Sequence, residues 1–249
     1  MIRRGAVVVV AALAAACVDV SDNSDSVLSL QFDPLPSPSV VVGDSLRDTT
    51  GAISVPVVRA FNHRGEEIAS APIRFFAPDA GISVDSISGV VTGDSLRSTP
   101  ARIIATVGSL QALRNIETTL RPDLVSVVDG RDTVTYSRTD TTSRISAQLT
   151  VKVTHGTAPD DTAVRAYIVS FGVVSASDPR LAALVSGSAL SSIDTTDAGG
   201  VAGRAVRISP LYLFSEVDSV IVNATVRYRG TPISGSPVRL VVVARPQTP

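Results

Sequence analysis

Residues 145–154 read ISAQLTVKVT, and apolar and polar side chains alternate through the whole stretch. The apolar set is Ile145, Ala147, Leu149, Val151 and Val153. A period of two places the two sets on opposite faces of an extended chain, whereas a helix would scatter both sets around its axis. The stretch therefore predicts a β-strand with one face in a core and the other towards solvent.

The same alternation recurs nearer the C-terminus, at 220–228 and 238–244. Between the predicted strands lie short turn-forming sequences, namely NHRG at 62–65, DAG at 79–81, SG at 88–89, DAGG at 197–200 and RGTP at 229–232. Gly, Asn and Asp tolerate the backbone conformations that tight turns require. Many short strands with regular turns predict an all-β chain built of antiparallel β-sandwiches.

One stretch has helical spacing instead. Leu181, Leu184 and Val185 follow Asp178 and Pro179. This spacing predicts at most a turn or two of helix, added to the sandwich.

The segment RPDL at 121–124 predicts a division of the chain, because a proline at the end of an apolar run cannot lie in a central strand. Two sandwiches are then expected, at 27–121 and 122–249. Each has about a hundred residues, the size of one seven-stranded sandwich.

The first residues have the composition of an export signal. Arg3 and Arg4 precede an unbroken run of alanine, valine and leucine at 6–16. This run is about half the roughly 20 apolar residues that span a bilayer, and small residues end it. Residues 1–16 are therefore predicted to be a signal peptide that is removed.

The run ends at Cys17, the one cysteine of the chain, in the sequence LAAAC. This resembles the lipobox of bacterial lipoproteins, which implies that Cys17 is acylated and anchors the protein to a membrane. Val18 rather than Asp follows the cysteine, and in that family this implies the outer membrane. The alternative is ordinary cleavage after Ala16, which would leave a free thiol. Residues 17–26 are polar and acidic, and they predict a flexible tether.

Both predicted sandwiches contain sequences typical of bacterial Ig-like domains. VVVGDSL at 40–46, VDSISGVVTG at 84–93 and ARIIATVGS at 101–109 occur in the order found in group 2 bacterial Ig-like domains, which they resemble. TTDAGGVAGRAV at 195–206, followed by VIVNATV at 220–226, resembles the invasin and intimin-like Ig domains. The resemblance implies tandem Ig-like sandwiches of a bacterial surface protein and says little about a ligand.

The composition argues against several functional classes. The 22 basic and 23 acidic residues give a net charge of -1, without the basic patch that nucleic-acid binding requires. His63 and His155 are the two histidines of the chain, which leaves little for a metal site or a histidine-dependent active site. We therefore expect no catalytic residue, no metal and no cofactor.

The letters GDSL occur at 43–46 and 93–96, and they match the nucleophile block of the GDSL esterases. In those enzymes the serine, here Ser45 or Ser95, needs a histidine base that is held by a carboxylate. The resemblance is confined to the motif itself.

The required base has no matching sequence block, because the family places an aspartate three residues before the histidine. Those positions hold Ala60 before His63 and Lys152 before His155. The esterase family is also α/β, whereas this chain shows no alternating helices. Both GDSL sequences are therefore interpreted as turns.

Other polar residues have simple structural interpretations. The aspartates considered as cation ligands are Asp160, Asp161, Asp194 and Asp197, and none lies in a run with the spacing of a Ca²⁺ loop. They are interpreted as turn residues. Asn223 begins a glycosylation sequon on a predicted strand, which we attribute to chance. The scattered tyrosines Tyr136, Tyr167, Tyr212 and Tyr228 do not predict a sugar-binding platform.

The sequence thus predicts a non-catalytic envelope lipoprotein, exposed to the periplasm or at the cell surface. Its Ig-like domains would act in adhesion, as a spacer or in protein interaction. The alternative is a ligand-binding accessory module of a larger envelope or polysaccharide system. The expected partners are a membrane, through Cys17, and a protein or glycan that the sequence does not identify.

Overall fold

The computed structural model describes residues 26–137, 139–140, 142–213 and 217–247. Strands dominate it, with one short 3-10 helix at Pro210–Tyr212, so the all-β prediction is confirmed. The predicted signal peptide at 1–16, Cys17 and the tether apart from Ser26 lie outside the described residues. Below, residues 26–121 are called the N-terminal half and residues 122–247 the C-terminal half.

The N-terminal half contains eight strands. They are β1 (Ser29–Phe32), β2 (Ser39–Val41), β3 (Val58–Phe61), β4 (Arg74–Phe76), β5 (Ile82–Val84), β6 (Val91–Gly93), β7 (Ala101–Val107) and β8 (Leu110–Thr119). One sheet has the order β2-β8-β7-β4, and the pairs β1-β3 and β5-β6 pack across from it.

The described residues of the C-terminal half form fourteen strands. They are β9 (Leu124–Asp129), β10 (Arg131–Tyr136), β11 (Arg144–Ile145), β12 (Leu149–His155), β13 (Thr162–Ala163), β14 (Ile168–Ser175), β15 (Ala182–Ser186), β16 (Ala189–Leu190), β17 (Ile193–Thr195), β18 (Val201–Ile208), β19 (Asp218–Thr225), β20 (Arg227–Tyr228), β21 (Thr231–Pro232) and β22 (Val238–Pro246). One sheet has the order β10-β22-β19-β14-β17. The facing sheet has the order β13-β12-β18-β15-β16, with β9 beside β12 and β11 beside β18.

In both halves the chain passes from one sheet to the other between its first two strands. In the N-terminal half β1 pairs antiparallel with β3, and after the proline-rich segment 33–38 the chain continues as β2, which pairs parallel with β8. In the C-terminal half β9 pairs antiparallel with β12, and after Gly130 β10 pairs parallel with β22. These two parallel pairings depart from the antiparallel prediction. They arise because the chain crosses to the other sheet without reversing its direction.

Two separate hydrophobic cores fill the sandwiches. One is formed by residues between Phe32 and Ile116, and the other by residues between Val125 and Ala244. The alternating run of β19 places Val220, Val222 and Ala224 in the second core, as its pattern predicts. The domain boundary at 121–122 lies between the two cores and stays a prediction.

The register predicted from residues 145–154 is correct in part. Leu149, Val151 and Val153 are fully buried, as expected. At the start of the run the prediction is wrong, because Ile145 is 52% exposed while Ser146 is 7% exposed. The strand is interrupted between β11 and β12, where the Ser146 hydroxyl accepts a hydrogen bond from the Val206 amide. The chain rotates at this break, so the residues that face the core before it are the even-numbered ones and those after it are the odd-numbered ones.

The helix predicted from the spacing of Leu181, Leu184 and Val185 is absent, and that prediction is wrong. Asp178 accepts hydrogen bonds in a turn that ends at Leu181, and the chain continues directly into β15. Pairing with β18 overrides the helical spacing, since all three apolar side chains reach buried positions from a strand and its preceding turn.

The buried run of β12 leads to a stability prediction. Leu149→Ala should lower the free energy of unfolding by about 2 to 5 kcal/mol, because it leaves a cavity in a close-packed core. Thr150→Ala should change it by roughly 1 kcal/mol or less, since this side chain lies on the outer face and bonds Asp129. Urea unfolding of both variants measures the difference. Equal losses, or a larger loss for Thr150→Ala, would show that the strand register is wrong.

Candidate functional site

A polar cleft lies where the two halves meet. Its walls are Ser37, Ser39, Val41, Asp44, Ser45, Arg47, Asp48, Thr49 and Gly51 from the N-terminal half, with Tyr167, Ile168, Ser170, Thr225, Arg227, Tyr228 and Arg229 from the C-terminal half. The enclosed space is about 50 Å³. Binding pockets for drug-sized ligands have roughly 300 to 1,000 Å³, so the cleft has room for a water or two or a small ion.

The Asp44 carboxylate joins the two halves at this cleft. Its side chain is 4% exposed. Its Oδ2 atom accepts hydrogen bonds from Arg47 Nε at 3.0 Å and from Arg229 Nε at 2.9 Å. Its Oδ1 atom accepts from Arg47 Nη2 at 2.9 Å and from the Ser45 amide at 2.8 Å. One carboxylate is therefore shared between an arginine of each half.

These bonds keep Asp44 ionised in spite of its burial. Desolvation alone would raise its pKa, but the hydrogen bonds from Arg47, Arg229, the Ser45 amide and Tyr228 outweigh it and hold the pKa well below its usual range. Because the folded-state pKa is lowered, the stabilisation is fully present above the unfolded value near 4 and is lost only as the pH falls through the lowered value. The contact is therefore intact at neutral pH.

The turn that carries Asp44 is the first GDSL sequence, and it is packed against the second. The Gly43 amide donates to the Gly93 carbonyl at 2.8 Å, and the Gly93 amide donates to the Asp44 carbonyl at 3.0 Å. Gly43 has a positive φ of 77°, and Leu46 at the end of the turn is fully buried in the first core. The hydrophobic core of the N-terminal half thus positions the Asp44 carboxylate.

A second group of contacts joins the halves at the segment before β14. The Ser39 hydroxyl donates to the Ala166 carbonyl at 2.6 Å, and the Thr119 hydroxyl donates to the Arg165 carbonyl at 2.7 Å. The Arg165 guanidinium donates to the Arg97 carbonyl and lies 3.4 Å from Glu117 Oε2, without hydrogen-bond geometry. The ends of β2 and β8 are therefore both fastened to the C-terminal half.

Two glycines, Gly51 and Gly230, lie where the backbones of the two halves approach closely. A Cβ atom built on Gly51 would lie 1.9 Å from the Gly230 nitrogen, and one on Gly230 would lie 3.0 Å from the Thr50 carbonyl oxygen. Both glycines also have positive φ, of 93° and 81°. The turn between β20 and β21 and the turn at 48–51 are therefore in backbone contact, which leaves no room for a side chain at either glycine.

Two tyrosines that are distant in sequence meet in the cleft. The Tyr167 hydroxyl donates to the Arg227 carbonyl at 2.6 Å, and burial raises the Tyr167 pKa. Burial and the neighbouring Asp44 carboxylate raise the pKa of Tyr228. The sequence did not predict that these two tyrosines line one cleft. Their spacing of 61 residues gave no signal in the sequence, and only the packing of the halves brings them together.

The GDSL serines are not placed as nucleophiles. Ser45 lines the cleft, whose described walls include no histidine. Ser95 is exposed on the adjoining turn. His155 lies at the end of β12, where its Nδ1 atom is 2.6 Å from Asp123 Oδ2, and His63 lies in the exposed turn at 62–65. GDSL at 43–46 lies in a loop, and GDSL at 93–96 begins at the last residue of β6 and continues into a loop, in agreement with their interpretation as turns.

Two of the four aspartates considered as cation ligands, Asp194 and Asp197, bind protein groups. Asp194 forms a 2.8 Å ion pair with the buried Arg204, and Asp197 accepts from the amides of Gly199 and Val201 within its turn. Asp160 and Asp161 lie in the loop before β13. Within the ranges that the structure describes, no three His, Cys, Asp or Glu residues are grouped to hold a metal.

The remaining candidate residues are also accounted for. Asn223 lies within β19, half-buried and opposite Gly172 of β14. Cys17 lies outside the described residues, so its lipidation stays a prediction. None of the helical structure described between residues 26 and 247 is long and apolar enough to cross a membrane.

Comparison with known proteins gives no family. No protein-family model matches the chain, and no significantly similar curated protein was found. Among solved structures, domains 1–6 of the surface layer protein SbsC match with 12% identity and a TM-score of 0.32, over 89% of this chain and 28% of that one. This chain thus spans little more than a quarter of that S-layer structure.

Two further matches are of the same quality. Extracellular cadherin domains 3–6 of protocadherin gamma B2 match with 16% identity and a TM-score of 0.33, over 89% of this chain and 52% of that one. The endo-fucoidan hydrolase MfFcnA9 of glycoside hydrolase family 107 matches with 9% identity and a TM-score of 0.36, over 88% and 34%. These values are too low to assign a family or to transfer a function. The resemblance to group 2 and invasin-like Ig domains stays a prediction.

The contact between the glycines leads to a second prediction. Gly51→Ala should lower the free energy of unfolding by roughly 1 to 3 kcal/mol more than Gly65→Ala, and Gly230→Ala should have a smaller added cost, because its Cβ would meet the Thr50 carbonyl only at 3.0 Å. Gly65 is the matched control, because it also has a positive φ of 77° but has open space around its Cβ position. Urea midpoints of the three variants measure the difference. Equal losses would mean that the halves are not in backbone contact.

Proposed function

We propose that this chain is a non-catalytic cell-envelope lipoprotein whose two β-sandwiches form a spacer with a fixed angle between them. It would be anchored through lipid on Cys17 and would hold its C-terminal end away from the membrane. The observation that carries the proposal is the shared Asp44 carboxylate, because a contact that binds an arginine from each half restricts rotation about the connecting segment.

The path of the chain supports a spacer. β2 and β8 both end at the junction, so the start of the N-terminal half lies at the opposite end of its sandwich. β9 begins at the junction, and β22 runs parallel to β10 away from it. The first and last described residues therefore lie at opposite ends. At about 3.4 Å per residue, β8 and β22 are each about 30 Å long, which sets the length of each half.

The character of the cleft favours a spacer over the alternative, a ligand-binding accessory module. The space of about 50 Å³ around Asp44 does not admit a sugar or a cofactor of ordinary size, and the two wider grooves between the halves, of about 680 and 520 Å³, are open to solvent. Two of its three arginines are also occupied, since Arg47 and Arg229 both donate to Asp44. Asp44, Arg47 and Arg229 therefore bind each other, which is the arrangement expected of a structural junction.

An experiment with vesicles tests both the lipid attachment and the distance of each end of the protein from the membrane. The purified lipidated protein is labelled at Gln31→Cys or at Arg245→Cys, and energy transfer to an acceptor in the lipid headgroups is measured. We expect strong transfer from position 31 and weak transfer from position 245, because the two sites lie at opposite ends of the molecule. Equal transfer from both sites would contradict the spacer.

The control for the anchor is Cys17→Ser. This variant should lose incorporation of a palmitate analogue in cells and should not bind vesicles, while its urea midpoint is unchanged. Equal palmitate labelling of Cys17→Ser and the wild type would contradict lipidation at this residue, without bearing on the angle between the sandwiches.

A further inference from the structure

The outer face of the sheet β10-β22-β19-β14-β17 carries all the arginines of its five strands. These arginines are Arg131, Arg239 and Arg245, and all three are exposed. Val134 of β10 and Leu240 of β22 lie an odd number of residues away from them and are buried in the second core. Because neighbouring side chains of a strand point to opposite faces, the arginines point outwards.

The aspartates of the same five strands have the opposite register. Each lies opposite a residue that is buried in the second core. Asp132 and Asp218 accept hydrogen bonds from an amide and a hydroxyl of neighbouring segments, and Asp194 forms its ion pair with Arg204 of the facing sheet. Among the residues that the structure describes, the outer face of this sheet therefore holds three positive charges and no negative charge.

The three guanidinium groups have no charged partner. None forms an ion pair or a side-chain hydrogen bond with any residue in the described ranges, in contrast to Arg47 and Arg229 at the junction. The whole chain has a net charge of -1, so this group of positive charges is a local feature. Uncompensated charges of one sign on a protein surface attract a ligand of the opposite sign.

The arginines form a line along β22. Arg239 and Arg245 are six residues apart on that strand, a distance of about 20 Å at roughly 3.4 Å per residue. Arg131 lies between them on the neighbouring strand, opposite Val241. A line of this length matches a linear polyanion that lies along the strand, whereas a single small anion reaches one arginine at a time.

Uncharged polar side chains lie between the arginines. On β10, Thr133 and Thr135 are exposed, and Thr135 lies opposite Arg245. On β19, Ser219 is exposed and Asn223 is half-buried. Hydroxyl and amide groups both donate and accept hydrogen bonds, as the hydroxyl groups of a sugar do.

Apolar groups contribute little to this face. Its outward valines and isoleucine, Val241, Val243 and Ile221, are half-buried, and the aromatic residues described on the five strands, Tyr136 and Phe171, are buried in the core. Protein interfaces are enriched in aromatic side chains, and single-stranded nucleic acids bind by stacking on them. The face therefore matches a ligand that is recognised by charge and hydrogen bonds.

We propose that this surface, called the arginine face and defined by Arg131, Arg239 and Arg245, binds an extended acidic polysaccharide through the carboxylates of its uronic acid residues. A guanidinium binds a carboxylate with two parallel N–H···O bonds. Carboxylates that recur along one polymer reach several arginines together, so weak contacts add up. The arginine face lies outside the cleft, and its binding requires neither the lipid anchor nor the fixed angle between the sandwiches.

Affinity electrophoresis of the full chain as Cys17→Ser tests the proposal, in native gels with and without polygalacturonate. Polygalacturonate should retard the wild type, and added salt should weaken this binding because the charges are exposed to solvent. Arg131→Gln, Arg239→Gln and Arg245→Gln should each weaken binding about twofold to fivefold. The triple variant should bind at least about tenfold more weakly than the wild type.

Arg74→Gln is the matched control. Arg74 is an exposed arginine of β4 in the N-terminal half and forms no ion pair with a residue that the structure describes. This variant should bind polygalacturonate as the wild type does, and all variants should keep the wild-type urea midpoint.

Four outcomes would overturn the proposal. They are a wild type that polygalacturonate does not retard, equal retardation by uncharged dextran, unchanged binding in the triple variant, and an equal loss in Arg74→Gln. Tighter binding of the wild type to oligothymidylate or to phosphatidylglycerol vesicles than to polygalacturonate would also contradict it, because the ligand would then be a nucleic acid or a membrane.

Discussion

The carboxylate of Asp44 is the constraint on which the arrangement of this molecule depends. It is almost fully buried, and an ionised carboxylate in that position requires hydrogen-bond donors on both of its oxygens. Arg47 and the Ser45 amide supply donors from the same half, and Arg229 supplies one from the other half. The two sandwiches must therefore approach in an orientation that brings Arg229 to Asp44.

The ion pair of Asp44 with Arg229 contributes more to the relative orientation of the two halves than to the free energy of unfolding. The Arg229 side chain is 53% exposed, so solvent screens its attraction to Asp44, and ion pairs of this kind contribute on the order of 1 kcal/mol or less. The backbone contact of Gly51 with Gly230 and the bonds from Ser39 and Thr119 to the segment before β14 add further points of contact. These contacts hold the two halves together, while the carboxylate shared by Arg47 and Arg229 sets the rotation of one half relative to the other.

The sequence was most informative where side-chain alternation alone decides the structure. The buried positions of β12 and β19 follow from a period of two, and the turns follow from Gly, Asn and Asp. Local patterns failed where a distant partner decides the conformation. Ser146 turns inward because it bonds the Val206 amide, and Leu184 lies in a strand because β18 pairs with it. Neither partner lies within ten residues along the sequence, so a local sequence pattern does not reveal it.

Local sequence patterns were still less informative about the junction between the two halves. The GDSL sequence at 43–46 was correctly interpreted as a turn, but nothing near it in the sequence indicates that its aspartate binds an arginine 185 residues later. Tyr167 and Tyr228 likewise meet only after both sandwiches have folded and docked. The fold could thus be predicted from patterning, whereas the contact that orients its two parts could not.

Residual dipolar couplings of the backbone amides test the fixed orientation most directly. In the wild type, the couplings of the two halves should fit one common alignment tensor, because the junction moves them as one body. Arg229→Ala should require two different tensors, while Arg239→Ala, which removes an exposed arginine of β22, should keep one. Two tensors in the wild type, or one unchanged tensor in Arg229→Ala, would contradict the account.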